Sequence, residues 1–434
     1  MQTVNKPGVV RAAMRRDPKP GGDADQDPAG QKRKLLEREL YEIWMGQRFP
    51  AGALGLPDGS LLRVVYRGRP GRGAGPDFRD AIIARGDGAL LKGDVELHVR
   101  ASDFRRHGHG ADPAYDRVAL HVVFYHDGGA TIASSGRELL TVALAPWVAT
   151  RAGELQRWLE QPPLWQEPCH DAVARLGGEE VGARLRRLGI RRLRQKAAAL
   201  RKRVLAQGFE DAVYRELLEA VGFGPNRHVF RALAAATSWH EVLPAPASVL
   251  STALAAEGLI FERPTRPGAG GDQRLAGAAA LIARLGRFGN GSLAGALEVV
   301  LGEAEDGAAL VLALEVEGDG PKGGQMIGRG RAAEIAVNVI LPAALVMGHE
   351  KRALALYESA PDPGSYGLTA YLEGILRRQD PAVLRGAAER QGLLLMQKEY
   401  CTQGGCGSCP LSPPVDPAGR PFGRGGAAHP APLA

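Results

Sequence analysis

From Gly93 to Val99 the chain alternates polar and apolar residues, Gly-Asp-Val-Glu-Leu-His-Val. This alternation predicts a half-buried strand with Asp94, Glu96 and His98 on one face and Val95, Leu97 and Val99 on the other. Apolar runs bounded by turn residues predict strands at Leu61 to Tyr66, Phe78 to Arg85, Leu90 to Val99, Val118 to Tyr125 and Glu138 to Leu144. Leu35, Leu36, Leu40 and Ile43 recur at helical spacing, which predicts an amphipathic helix over Gln31 to Trp44 carrying Glu39 and Glu42. Ser102 is placed to cap a short helix before the fourth strand. The order is helix, three strands, helix, strand.

After Trp147 the pattern turns helical, and Pro162-Pro163 with Pro168 mark the expected domain boundary. Arg184 to Arg203 holds ten Lys or Arg residues and no acid, behind an apolar stripe of Leu185, Leu188, Leu193, Leu200 and Val204. Helices are also expected over Val213 to Val221, Phe230 to Thr237, Arg274 to Leu285, Ala332 to Val346 and Gly392 to Tyr400, whereas Ala308 to Val316 suits helix or strand equally. The Gly-rich stretch from Gly318 to Arg331 lacks the Gly-Lys-Ser/Thr ending of a P-loop, so no nucleotide site is expected there. The division is a disordered tail over 1–30, a mixed sheet core over 31–160, a helical domain over 161–410 and a second disordered tail over 411–434.

Length and charge sharpen this picture. A chain of 434 residues with 44% hydrophobic content is long enough for two or three domains. The net charge of +7 suits a polyanionic partner. The residues near Met1 are polar and basic, and no apolar run is long enough to span a bilayer, so a cytoplasmic location is expected, without membrane contact. In that reducing compartment the four cysteines read as metal ligands or core residues.

The chemistry gathers around the alternating strand. Pro76-Asp77 precedes Glu96 by nineteen residues, the spacing at which a two-stranded ribbon brings two carboxylates together, and such a pair suits a divalent cation. Five of the ten histidines, His98, His107, His109, His121 and His126, crowd the same region. His107 and His109 with Asp112 form a competing zinc-type ligand set. Cys401, Cys406 and Cys409 are spaced by four and then two residues, and Cys169 is the remaining thiol; this suits a [4Fe-4S] cluster, with Zn2+ as the alternative.

An acid on the second strand and Glu-x-basic on the third, in this element order, resembles the PD-(D/E)xK nuclease superfamily. The resemblance implies an α/β (α+β) fold with a restriction-endonuclease-like mixed sheet, followed here by a mainly helical domain with a cysteine-bound metal site. It also implies Asp77 and Glu96 as ligands of Mg2+ or Mn2+; Asp94, with Glu42 from the first helix, is expected either to accept a second metal or to hold the ligands from behind. His98 stands where that superfamily usually has lysine, so it would orient or deprotonate water instead of supplying a fixed charge. The separated cysteines resemble the iron-sulfur staple of certain nucleases of the same superfamily, which makes DNA the expected substrate. The phrases GPDFRDAII, GDVELH, SDFRRHGHGADPAYDRVALHVV, GRGRAAEIAVNVILP and YCTQGGCGSCP resemble a bacterial family known only as domain of unknown function 2851, over about Glu37 to Pro410. That likeness implies no activity, but it ties the sheet half and the cysteine tail into one design.

Unrelieved like charge on a helix is destabilising unless an anion lies against it, and a phosphate backbone supplies one. Arg187, Arg191, Arg194 and Lys202 of the basic helix, with Arg67, Arg69 and Arg72 of the Gly-Arg loop, are therefore the expected nucleic-acid contacts. The competing function is a non-catalytic nucleic-acid-binding scaffold with a structural metal.

Overall fold

The N-terminal half is built on strand β5 (Leu90–Arg100). A computed structural model of the chain describes residues 35–49, 54–56, 59–71, 75–86, 88–146, 169–222, 224, 226–262, 270–318, 325–403, 405 and 408–413. The tails anticipated at both ends, save 411–413, lie outside the described residues, as do Arg72, Pro162, Pro163, Pro168 and Cys406.

Helix α1 (Glu37–Met45) leads into β1 (Leu54–Gly55), β2 (Leu61–Tyr66), β3 (Arg69–Pro70) and β4 (Phe78–Arg85). After β5 come the short α2 (Asp103–Arg106), β6 (Val118–Tyr125), β7 (Thr131–Ile132) and β8 (Glu138–Ala143). The sheet order is β1-β2-β4-β5-β6-β8-β7, with β3 beside β4. β5 runs antiparallel to β4 and parallel to β6, and β6 is parallel to β8, so the sheet is mixed with β5 at the junction.

Val95 and Leu97 enter an apolar cluster with Leu40, Ile43 and Trp44 of α1. The opposite face is covered as well, because Phe104 and Tyr115 form a smaller cluster with Val118, Ala133 and Leu139. Residues Gly93 to His98 are consequently all buried. Alternation here records two different covered faces; neither is wet.

The helical half centres on the long helix Gly178–Gln207. It packs antiparallel to Ala387–Glu399 through two glycines. A Cβ on Gly189 would stand 2.1 Å from the Ala388 carbonyl oxygen, and one on Gly392 would stand 1.9 Å from that of Leu185. The ambiguous segment resolves as a helix, Gly307–Leu314, whose first turn is held by the Asp306 carboxylate accepting from the Ala309 N–H at 2.8 Å. The helix expected to begin at Ala332 begins at Arg329 and widens into a π turn at Ala336–Ile340. Pro342 has no N–H to offer the Asn338 carbonyl, and the Leu341 N–H bonds to Ala336 instead. Ser102 is no cap, since its backbone is helical and its hydroxyl donates to Asp127 at 2.8 Å.

The two halves touch at Arg67, whose guanidinium donates to the Tyr371 hydroxyl at 2.9 Å and lies 5.8 Å from that ring's centre. Among the described residues no helix is long and apolar enough to cross a membrane.

The glycine contacts make a signed prediction. Replacing Gly by Ala inside a helix ordinarily adds ~1 kcal/mol. Gly392→Ala should instead lower the melting temperature, because the new methyl group meets a backbone carbonyl that cannot move aside, at a cost of about 1–3 kcal/mol or more. Thermal unfolding decides it, and a raised melting temperature would refute the close helix contact.

Candidate metal centre

The antiparallel register pairs Phe78 with Val95, which sets Asp77, just before β4, against Glu96 and Leu97 on β5. The Asp77 N–H donates to Glu96 Oε2 at 3.1 Å, and the Leu97 N–H donates to Asp77 Oδ2 at 3.0 Å. Each carboxylate is therefore held by a backbone amide at the other's position. The loop before β4 fixes Asp77 further: the Gly71 N–H donates to its carbonyl at 2.6 Å, and any Cβ on Gly71 would stand 2.2 Å from the Pro76 oxygen.

Imidazoles occupy the other side of Glu96. Glu96 Oε1 is 3.3 Å from His109 Nε2 and 3.8 Å from His98 Nε2. The parallel register places Glu96 beside His121 of β6. His98 Nδ1 lies 3.0 Å from His121 Nε2, and His121 Nδ1 lies 3.1 Å from Thr131 Oγ1. His98 Nε2 is 3.1 Å from His107 Nδ1. Among the described residues, His98, His107 and His109 are the group of three whose ligand atoms all fall within 4.8 Å of one another.

Burial and mutual repulsion set the charge states. Burial raises Asp77 to about 6. Burial, followed by the Asp77 charge, raises Glu96 to about 9, so the pair resists double ionisation. Burial lowers His98 to about 2 with help from His121, His107 and His109, and it lowers His121 to about 3. Tyr115, stacked 3.9 Å from His109, is raised to about 12 by burial and by the nearby carboxylates of Glu96, Asp112 and Asp77. The centre thus gathers several lone pairs around two buried carboxyl groups.

The remaining expected site residues separate from this group. Asp94 accepts the Asp80 N–H at 3.0 Å, and Asp80 sits in the left-handed region at φ 59°. Its place is under the bulge of β4, where it props a strained turn. Glu42 is exposed on α1, and the acid from that helix that reaches the centre is Glu37, 4.0 Å from His98 Nε2. Its position was readable: Glu37 shares a helical face with Leu40, Tyr41 and Trp44, the face turned to the sheet. Asp112 lies outside the triad and accepts the Ala114 N–H at 2.9 Å. Thr131 and Tyr115 carry no sequence signal beyond their nearness to the histidines.

Two of the expected phosphate contacts are corrected, and a third, Arg72, lies outside the described residues. Arg67 is 2% exposed, and Arg69 is buried in an ion pair with Asp80 at 2.9 Å. Their loop holds Asp77 in place, and neither side chain is available to a nucleic acid. On the long helix, Arg187 pairs with Glu180 at 3.2 Å, Arg191 with Glu399, and Arg194 with Glu350 at 2.9 Å. The missing acids come from the helix's own first turn and from distant segments; Lys202 remains exposed. Cys169, Cys401 and Cys409 are buried in one apolar cluster with Val181, Leu185 and Met396. Among the described residues no metal-sized ligand group includes a thiol, and Cys409 Sγ lies 2.9 Å from the Ser412 hydroxyl.

A carboxylate pKa raised by folding contributes stability at low pH that is lost as the pH climbs through the folded values. The depressed histidines act in the opposite sense, but only below their ordinary value of about 6.5. From there to about pH 8 Glu96 dominates; above it Lys196, which burial lowers to about 8, acts in the opposite sense. The metal-free chain should therefore lose up to ~1.4 kcal/mol of stability per pH unit from about 6.5 to 8, and Glu96→Gln should flatten that part of the profile. Urea unfolding in EDTA measures this; a level wild-type profile would mean that the carboxylates ionise together.

A family model described as Protein of unknown function (DUF2851) matches residues 37–261. The match takes in every carboxylate and imidazole of the centre and stops short of Cys401 and Cys409. No curated protein and no solved structure matches the chain. Since the matched segment is more than half of the 434 residues, the chain belongs to this family of unknown function.

Proposed function

We propose that the chain is a metal-dependent hydrolase of phosphodiester bonds in nucleic acid, working from a restriction-endonuclease-like core. The observation that carries this reading is the mutual lock of Asp77 and Glu96, which fixes two carboxylates side by side at the head of β4 and on β5. The element order around them supports it: α1, then β2, β4 and β5, then α2 and β6, with the acid on the second long strand and Glu-x-His on the third.

The donor set fits a divalent cation, because burial pushes both carboxylates toward neutrality and the Asp77 charge adds to the push on Glu96, a cost that a bound cation would offset. When bound, Mg2+ or Mn2+ would supply that charge, activate water and offset the charge developing on the phosphate. Asp77 and Glu96 would hold the ion. His98, held neutral by burial far below its ordinary value, does not replace a cationic lysine and is too weak a base to take the proton of the attacking water, so its part is to orient the groups around the carboxylates. His121 and Thr131 hold the His98 ring in one orientation.

Exposed Arg105 and Arg106 beside the centre, together with a net charge of +7, suit the approach of a polyanion. Surface ion pairs such as those of Arg187 and Arg194 are weak enough for a phosphate to replace the carboxylate partner. DNA stands ahead of RNA through the superfamily likeness alone. A cysteine-held cluster is not included in the proposal.

The test is cleavage of single- and double-stranded DNA and RNA by metal-free protein supplemented with Mn2+ or Mg2+. Wild type should cleave, and Glu96→Gln and Asp77→Asn should each lose at least ~10²-fold. Equal cleavage by wild type and Glu96→Gln would remove the assigned site, and salt-sensitive binding without cleavage would leave the scaffold function.

A further inference from the structure

We propose that His98, His107 and His109 form a second cation site beside the carboxylates, selective for a borderline divalent transition ion of the Zn2+ or Co2+ kind. The inference goes beyond the hydrolase reading and does not depend on it.

The spacing of the nitrogens is the first argument. His98 Nε2 and His107 Nδ1 stand 3.1 Å apart. Bonds of ~2.0–2.1 Å around a tetrahedral zinc ion put neighbouring ligand nitrogens ~3.3 Å apart. His98 Nε2 is also 3.8 Å from Glu96 Oε1 and 4.0 Å from Glu37 Oε1. One ring nitrogen can satisfy one hydrogen-bond role, yet these groups converge on it. A single ion between the rings satisfies them together.

The support around the rings is the second argument. For His98 Nε2 to offer a lone pair, its proton must sit on Nδ1, where His121 Nε2 accepts at 3.0 Å. His121 then carries its own proton on Nδ1, directed to Thr131 Oγ1 at 3.1 Å. A ligating histidine whose second nitrogen is held in this way has a fixed ring and a defined tautomer. His109 is oriented by its stack on Tyr115, and the Phe104 ring stands edge-on to both His98 and His109.

The loop is shaped for the task. Gly108, between the two histidines, adopts φ 80°, a left-handed turn that glycine enters without strain. It sends His107 and His109 toward the same buried ring. His107 is exposed, His109 half-buried and His98 buried, which leaves a route for the ion from solvent.

Ligand chemistry selects the ion. Mg2+ prefers oxygen ligands, whereas imidazole favours zinc and its neighbours. Glu96 Oε1, 3.3 Å from His109, faces this site while Glu96 Oε2 faces Asp77, so one carboxylate borders both cation positions.

The experiment titrates metal-free, full-length protein with Co2+ and reads its visible d–d bands, with Zn2+ and Mg2+ as competitors. One Co2+ per chain is expected, displaced by equimolar Zn2+ and not by a large excess of Mg2+. His107→Ala, a change at an exposed position, and the double variant His107→Ala/His109→Ala should weaken Co2+ binding at least ~10²-fold while keeping the wild-type circular dichroism. Asp77→Asn should retain the bands. Absence of Co2+ binding, displacement by Mg2+, or bands lost in Asp77→Asn and kept in the double variant would each overturn the site. Retained bands in a protein that cleaves nothing would instead sink the hydrolase reading alone.

Discussion

Two carboxyl groups are buried next to each other, and the design of the sheet half follows from how they are held. Like charges at that distance in a poorly solvated site cannot both ionise without a counter-charge. Asp77 and Glu96 do not separate, because each is anchored by a backbone amide belonging to the other's strand. What remains is to share a proton or to take a cation. That unresolved charge distinguishes the centre from the ordinary ion pairs elsewhere in the molecule.

Maintaining the arrangement requires irregular backbone. The register slips between Phe78 and Ala81 on β4 and between Asp94 and Val95 on β5. At the first slip Asp80 takes a left-handed conformation, and its amide is secured by Asp94 while its carboxylate is secured by Arg69 and Arg117. Arg67, Arg69 and Gly71 therefore belong to the scaffold of the centre. A loop that looks like a basic grip is used to aim one aspartate. Bulges beside a site that must direct a side chain are a recurrent use of such strain.

The helical half solves a different charge problem. Its long helix concentrates cations beyond the reach of the one first-turn acid, Glu180, that pairs with Arg184 and Arg187, and further partners are supplied across the packing interfaces: Glu389 for Arg186, Glu399 for Arg191, Glu350 for Arg194 and Glu216 for Arg203. The close glycine contacts with Ala387–Glu399 bring two of those acids within reach. Helix packing and charge pairing are consequently one feature. The buried thiols sit at the same end of this pair, among apolar side chains.

The sequence by itself determined the local elements and the meeting of the carboxylates. β2, β4, β5, β6 and β8 follow the apolar pattern to within a residue or so, and the spacing from Asp77 to Glu96 is enough to bring two strands into register. These are short-range consequences of period and turn. Which acid of α1 enters the centre, Glu37 or Glu42, depended on the angle at which the helix lies on the sheet. Whether the arginines were bare or paired depended on carboxylates up to 208 residues away. The histidines were legible as a crowd, but their ordering into a triad with His121 behind it came from the parallel β5–β6 register and the turn at Gly108. Period and spacing encode what neighbours in the chain do to one another. Contacts between distant segments have no local signature, and here they decided which groups are charged, which are paired and which converge on a single point.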